Sequence, residues 1–441
     1  MRCICDDEIR CQKVPSREAV GFMETGNDAN VMSNKIDLSS ESAAEALKAL
    51  PRRVAFVLNK LTMMQHGSVE LTIPGGKTFT FNAPNPGPHG ICVMHNWGLP
   101  RKALAGGSLG AAESYMDGDW DSPDVTGFLE LFLANSRGAG ADSFFKRNFL
   151  LNWATSFRHW MNRNSKTGSK RNIAAHYDLG NKFYTQWLDQ TMTYSSGIFR
   201  DGANSLKEAQ QAKYQSLVDR TDIKPEHHVL EIGCGWGGFA EHAAKNVGCK
   251  VTCLTISEEQ YKFAKERIEK AGLSDLVEIK FQDYRDETGK YDRIVSIEMF
   301  EAVGEQYWPS YFDQVKNCLK PGGKAGVQII TIAEEDYPHY RATPDFIQKY
   351  IFPGGMLPTA QILKDMGEKF GLNQISTRAF GYDYAATLEE WRHRFWKAWP
   401  SIKPLGFDER FKRMWEFYFH YCEAGFKRDT IDVRQIVYQK N

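Results

Sequence analysis

The segment Val229-Leu230-Glu231-Ile232-Gly233-Cys234-Gly235-Trp236-Gly237-Gly238 constrains this chain more than any other. An apolar run with one enclosed acid reads as a buried strand, and the glycines after it allow a tight turn whose backbone approaches a ligand where a Cβ would intrude. Apolar runs then recur at Val229–Ile232, Val251–Ile256, Val277–Phe281, Ile294–Ile297 and Gly326–Ile332, separated by helical stretches such as Glu258–Ala271. This alternation predicts an α/β domain with a mostly parallel sheet and crossover helices.

A GxGxG turn alone suits either a nicotinamide dinucleotide or S-adenosylmethionine. A dinucleotide site wants an acid at the end of the second strand, about 20 residues on, to hold the ribose diol. Here that strand ends in Leu254-Thr255-Ile256-Ser257, and Glu258 already opens the helix. The third strand ends in Gln282-Asp283-Tyr284, offering a carboxylate or amide to an adenine amino group and a ring to its face. Glu298-Met299-Phe300-Glu301 follows the fourth strand, and Leu319-Lys320-Pro321-Gly322-Gly323 turns into the fifth.

The rest of the chain divides by composition. Residues 1–40 mix charge, Gly, Asn and Ser without periodicity and are expected to be disordered. Residues 41–135 read as a small α+β domain with an expected lipid-binding role: a helix after Ser39–Ser42, then a hairpin from Val69–Leu71–Ile73 through Pro74-Gly75-Gly76 to Phe79 and Phe81, stopped by Pro84, Pro86 and Pro88. Residues 136–175 form a basic aromatic linker or helix. Within it, 146–171 carry seven basic side chains and no acid, with Phe149, Trp153, Phe157 and Trp160 on one helical face. Two readings stay open: an interdomain helix packed on the core, or an interfacial membrane helix.

Lys and Arg (55) balance Asp and Glu (55), so no global field recruits an anionic partner, and any membrane affinity must be local. Nucleic acid is not an expected partner. The nine cysteines show no metal-ligand spacing, so no metal site is expected, and a reducing cytoplasm fits them. Asp6, Asp7 and Glu8 stand where a signal peptide needs apolar residues, and no apolar run reaches about 18 residues.

The ordered strand-end motifs resemble a class I methyltransferase, and pieces outside them narrow the resemblance to the cyclopropane-fatty-acyl-phospholipid synthases and mycolic acid cyclopropane synthases. These pieces are His176-Tyr177-Asp178-Leu179-Gly180-Asn181-Lys182-Phe183-Tyr184, Met192-Thr193-Tyr194-Ser195, Met299-Phe300-Glu301, Lys349-Tyr350-Ile351-Phe352-Pro353-Gly354-Gly355 and Tyr421-Cys422-Glu423-Ala424-Gly425-Phe426. The resemblance implies a Rossmann-like, mostly parallel seven-stranded methyltransferase domain over 176–441, with C-terminal helical elements at an acyl site. It implies S-adenosylmethionine as cofactor, held by Tyr194, Ser195, Glu231, Gly233, Gly235, Gly237, Thr255, Ile256, Gln260, Asp283 and Tyr284.

In that family the alkene of an acyl chain takes the sulfonium methyl, and a base then removes a proton so that a ring closes. The resemblance gives the base as a bound bicarbonate, and carries its catalytic surroundings onto Glu301, Tyr384 and Ser196. Two positions depart from the pattern: Ser196 stands for a Cys and Ile330 for a His, which weakens the anion pocket. The expected function is methylene transfer to an unsaturated phospholipid, giving a cyclopropane. The alternatives are a methyl- or methylene-branched product, or a non-catalytic lipid-binding protein on the same scaffold. Expected partners are unsaturated phospholipid, an anionic membrane surface and a second copy of the chain, with the protein cytoplasmic and peripheral on the inner face of the membrane. Trp391, Phe395, Phe411, Trp415 and Phe419 are candidates to line an acyl tunnel.

Overall fold

The computed structural model describes residues 35–136 and 179–441. The expected basic aromatic element at 136–175 lies outside the described residues except for its first residue, as does 1–34.

Strand β1 (Lys35–Asp37) opens the N-terminal domain, followed by α1 (Glu41–Lys48) and α2 (Arg52–Leu61). Strands β2 (His66–Thr72), β3 (Thr78–Asn82) and β4 (Asn85–Met94), the helical segment α3 (Gly98–Met116), β5 (Trp120–Asp121) and α4 (Val125–Ser136) complete it. Its sheet runs β1-β3-β2-β4-β5. The expected hairpin is β2–β3, antiparallel with Val69 opposite Phe81 and Leu71 opposite Phe79, all four facing the core.

Two expectations need correction here. Residues 35–40, expected to lie in the disordered segment, are ordered, because Ile36 pairs in parallel with Phe79 and extends the sheet edge; three residues are too few to show a period. Pro86 and Pro88 end β3 but do not end pairing, since they sit in the exposed first half of β4, where missing N–H groups are tolerated.

The larger domain contains α5 (Leu206–Thr221), β6 (His228–Ile232), α6 (Gly238–Asn246), β7 (Lys250–Thr255), α7 (Glu258–Lys270), β8 (Val277–Phe281) and β9 (Tyr291–Ile297). After these come α8 (Trp308–Cys318), β10 (Leu319–Ile332), α9 (Ala360–Lys369), β11 (Leu372–Ala379), α10 (Gly381–Ile402), α11 (Glu409–Lys427) and β12 (Ile431–Lys440). The seven strands lie in the order β11-β12-β10-β9-β6-β7-β8, with β12 antiparallel to both neighbours and the others parallel. Chain order reverses between β6 and its neighbours β7 and β9, and the crevice at the strand ends there is where folds of this type hold ligands. Val229 to Ile232 are all buried, as a central parallel strand requires.

Local chemistry sets the helix starts. Ser257 Oγ accepts from the Gln260 N–H and caps α7, and Thr359 and Asp408 cap α9 and α11 in the same way. Helix α11 joins the two domains: Thr126 Oγ1 and His420 Nδ1 lie 2.7 Å apart, and Arg413 donates to the carbonyls of Tyr115 and Trp120.

The aromatic stripe turns out to be core. Phe395 lies 5.7 Å from Phe419 and 6.3 Å from Trp415, and Trp391 lies 5.8 Å from Trp187, ring centroid to ring centroid. None of the five lines the cavity described below. At 100° per residue, Phe411, Trp415 and Phe419 share one face of α11, yet Cys422 falls within that same arc and Tyr418 beside it, and these two reach the cavity with Tyr421, so angular position alone does not divide core from cavity.

Candidate active site

A cavity of about 500 Å³ opens at the carboxyl ends of β6, β7 and β9 and runs toward α10 and α11. Tyr194, Ser195, Glu231, Gly233, Gly235, Thr255, Ile256, Gln260, Asp283, Tyr284, Glu301 and Tyr384 all line it. Of the residues expected from sequence, Ser196 and Gly237 do not, and stand immediately behind it. Ser108, Leu133 and Ser136 bring the N-terminal domain to the cavity wall.

The glycine turn is built for close approach. Gly233 has φ +81°, and a Cβ there would meet Met299 at 2.7 Å. Gly237 (φ +82°) would press on Ala264 at 3.2 Å, whereas a Cβ on Gly235 (φ +53°) would point into open space. That space is the cavity. The N–H groups of Gly233 and Cys234 both donate to the Leu254 carbonyl at 3.0 Å, tying the turn to β7.

At the end of β7, Thr255 Oγ1 donates to Gln260 Oε1 at 3.0 Å and accepts from the Ser257 N–H at 3.2 Å. Asp283 accepts from Arg285 through both carboxylate oxygens, at 2.8 and 2.6 Å. Glu231 is buried, and desolvation pushes its carboxyl up to about 8 against the pull of the Cys253 thiol, Lys213 and Arg267. Lys213 is fully buried, donates to Ser195 Oγ at 2.6 Å, and is driven down to about 7 by desolvation against nearby Glu298, Asp189 and Glu231. Gln210 Nε2 holds the Ser195 carbonyl at 2.7 Å, so two polar groups on α5 fix the Tyr194-Ser195 loop.

Beyond this polar end the cavity becomes apolar, with Ile330, Ile332, Phe352, Met356, Leu388 and Ile431 in its wall. Two carboxylates stand at the junction. Glu301 Oε1 accepts from the Ile330 N–H at 2.6 Å, and Oε2 has no hydrogen-bond partner among the described residues. Desolvation and the neighbouring Glu298 push this carboxyl up to about 8. The second carboxylate, Glu298, carries three hydrogen bonds: Oε1 accepts from the Ser196 N–H at 2.9 Å and Gln328 Nε2 at 2.8 Å, and Oε2 from the Tyr384 hydroxyl at 2.7 Å. Burial raises its pKa, opposed by Lys213 and these donors.

Sequence reasoning passed over Glu298, Lys213 and Gln328. The signal for Glu298 was present in Glu298-Met299-Phe300-Glu301, two acids three apart at a strand end. Nothing in a helical Lys or a strand Gln announces burial.

The mycolic acid cyclopropane synthetase family model matches residues 164–436. The chain belongs to this family. It is 39% identical over 365 residues to tuberculostearic acid methyltransferase UfaA1 of Mycobacterium tuberculosis, covering 80% of this chain and 84% of that protein. To the cyclopropane-fatty-acyl-phospholipid synthase of Escherichia coli strain K12 it is 37% identical, covering 77% of this chain and 85% of that one. Mycolic acid cyclopropane synthase CmaA1, solved in complex with SAH and CTAB, superposes with a TM-score of 0.58 at 28% identity, over 62% of this chain and 98% of that one. The protein is therefore an S-adenosylmethionine-dependent methyltransferase of the class I fold, and its family acts on lipids. The glycine cradle, the Thr255–Gln260 pair and Asp283 suit that cofactor, because they offer close backbone approach, hydroxyl and amide groups, and an acceptor along one cavity wall.

Proposed function

We propose that the protein adds one carbon to the double bond of an unsaturated phospholipid acyl chain and closes a cyclopropane ring. The observation that carries this reading is the junction itself: one cavity of about 500 Å³ carries the glycine turn and polar strand ends, an apolar wall, a pair of carboxylates and a group of aromatic side chains in its lining. S-adenosylmethionine, held by the glycine turn, Thr255, Gln260, Asp283 and Tyr284, supplies an electrophilic methyl group. The chain's own residues then have three tasks. The apolar wall excludes water that would capture a carbocation on the acyl chain. Tyr194, Phe352, Tyr384 and Tyr418 present π faces and hydroxyl dipoles to positive charge. A carboxylate accepts the proton that must leave.

A second reading, a methyl- or methylene-branched product, is favoured by one observation: Ile330 places an apolar side chain where the family pattern has a His. The 39% identity to a tuberculostearic acid methyltransferase supports the same reading. Lipids extracted from cells expressing the protein decide between them. Gain of one CH₂ in unsaturated acyl chains is expected, and proton NMR distinguishes a ring from a branch; unchanged acyl chains would refute both readings.

Substrate lies in a bilayer, so the enzyme must meet a membrane surface. Among the described residues no helix is long and apolar enough to cross one. We assign surface attachment to the basic aromatic segment at 146–171, which places the protein on the anionic inner face of the membrane, with a homodimer as its proposed assembly.

A further inference from the structure

We infer that Glu298 is a built-in base occupying the place that the family pattern gives to a bound bicarbonate, so that this enzyme needs no external anion. The inference rests on the proposed one-carbon transfer and names the group that ends it.

The argument begins with the donors. An external anion at this site requires unengaged hydrogen-bond donors facing the cavity junction. The expected ones are Ser196 and the Tyr384 hydroxyl: the Ser196 hydroxyl donates to the Gly197 carbonyl at 2.9 Å, and the Ser196 N–H and the Tyr384 hydroxyl donate to Glu298, at 2.9 and 2.7 Å. Gln328 Nε2, a fully buried amide, adds a third bond at 2.8 Å. Ile330 contributes no side-chain donor, and its N–H is taken by Glu301. A bicarbonate would thus enter a poorly solvated cavity beside the Glu298 carboxylate with its donors occupied, where like charges repel most strongly. The residues do not fit that ion.

The backbone supports the same conclusion. Glu298 has φ +48°, in the left-handed region where a side chain is disfavoured and glycine is at ease. Its N–H is fixed by the Gln328 carbonyl at 2.8 Å, so strand pairing holds the twist that turns the carboxylate into the junction. A side chain kept on unfavourable backbone, with donors converging on it from residues 196, 328 and 384, marks a functional constraint.

The two oxygens differ. Oε1 accepts two hydrogen bonds and Oε2 one, which leaves Oε2 a free lone pair. Once the alkene has taken the methyl group, one C–H bond of that group breaks and its electron pair forms the new carbon–carbon bond. The proton passes to Glu298 Oε2, giving a neutral carboxylic acid that returns it to water before the next turnover. Lys213, buried behind Ser195, offsets the carboxylate charge between turnovers.

The test uses purified full-length protein, S-adenosylmethionine and vesicles of palmitoyl-oleoyl phosphatidylglycerol, in buffer stripped of carbon dioxide and then resupplied with bicarbonate. Wild type is expected to run at the same rate in both. Glu298→Gln keeps the shape and loses the base, so its rate should fall by a factor on the order of 10²–10⁴ and stay low with bicarbonate. Glu298→Gly suits the φ of this position and vacates the pocket; it should lose as much and regain at least about tenfold when bicarbonate is added. Rescue of the glycine variant and not of the glutamine variant is a pattern that a merely structural role does not produce. Unchanged thermal midpoints and cofactor affinity by calorimetry place the loss in the proton-transfer step. A wild type that is active only with bicarbonate, or a Glu298→Gln variant at near wild-type rate, overturns this inference and leaves the proposed function standing. A wild type that adds no carbon under either condition overturns the proposed function and this inference with it.

Discussion

Replacing Glu301 by Gln tests the electrostatics of the carboxylate pair without relying on catalysis. In the folded protein Glu301 titrates at about 8 and in the unfolded chain at its ordinary value of 4.5. Below pH 4.5 both states hold the proton; between there and pH 8 only the folded state does, so the proton's contribution to stability is lost as pH rises through that window. Integrating between about pH 5.5 and about pH 8 gives a loss of about 3 kcal/mol that wild type suffers and the variant does not. Unfolding entropy of roughly 2.1 cal/mol/K per residue over 441 residues is about 0.9 kcal/mol/K, so the expected effect on the midpoint is about 3 °C. The groups around Glu301 are Glu298, Tyr311 and Tyr340, and both tyrosines stay neutral across this range because burial raises them. The assay is thermal unfolding of wild type and Glu301→Gln at the two pH values. The variant should gain on wild type by about 3 °C at the higher pH. Midpoints that move in parallel would mean that Glu301 is already ionised at neutral pH, and that the pair does not share one proton.

Gly235→Val should abolish S-adenosylmethionine binding by calorimetry, since its side chain enters the open space over the turn, while Gly235→Ala weakens it by less; tight binding by the valine variant would place the cofactor elsewhere. Neutralising Arg158, Arg163, Lys166 and Lys170 together should release the protein from anionic vesicles in a sedimentation assay, each charge contributing about 1 kcal/mol at low salt. Unchanged sedimentation would make that segment a structural one.

Much of the methyltransferase domain was legible because its central strands are buried on both faces and read as nearly continuous apolar runs, as at Val229–Ile232 and Val251–Leu254, interrupted only by Glu231 and Thr252. Most residues expected at the cofactor line the cavity, since the turn and strand ends occupy fixed places in such a sheet. Strand β4 was hidden by Pro86 and Pro88, which are permitted only because that half of the strand is exposed. The aromatic residues of α10 and α11 could not be divided between core and cavity from spacing, because Tyr384 of α10 and Tyr418 of α11 line the cavity from nearly the same arcs that carry Trp391 and Trp415 into the core. Glu298 was visible as a letter but not as a site: its meaning lies in a positive φ and in partners about 30, 90 and 100 residues away. Lys213 reads as a solvated helical lysine until α5 is packed against β10 and β12.

The carboxylate pair also bears on the choice between ring and branch. Both products lose a proton from the transferred carbon: directly for the ring, and after a hydrogen has moved along the chain for a methylene branch. A requirement for Glu298 therefore does not tell them apart; the relative speed of proton removal and hydrogen migration does. Three hydrogen bonds and the nearby Lys213 make Glu298 a weaker base, which slows removal and favours migration. Burial strengthens it and favours the ring. A protonated Glu301 keeps this balance from tipping further, because a second charge there would raise Glu298 again. Product identity is on this account a property of the whole junction, in which Ile330 replaces a polar wall by an apolar one and leaves Glu298 as the base nearest the cation.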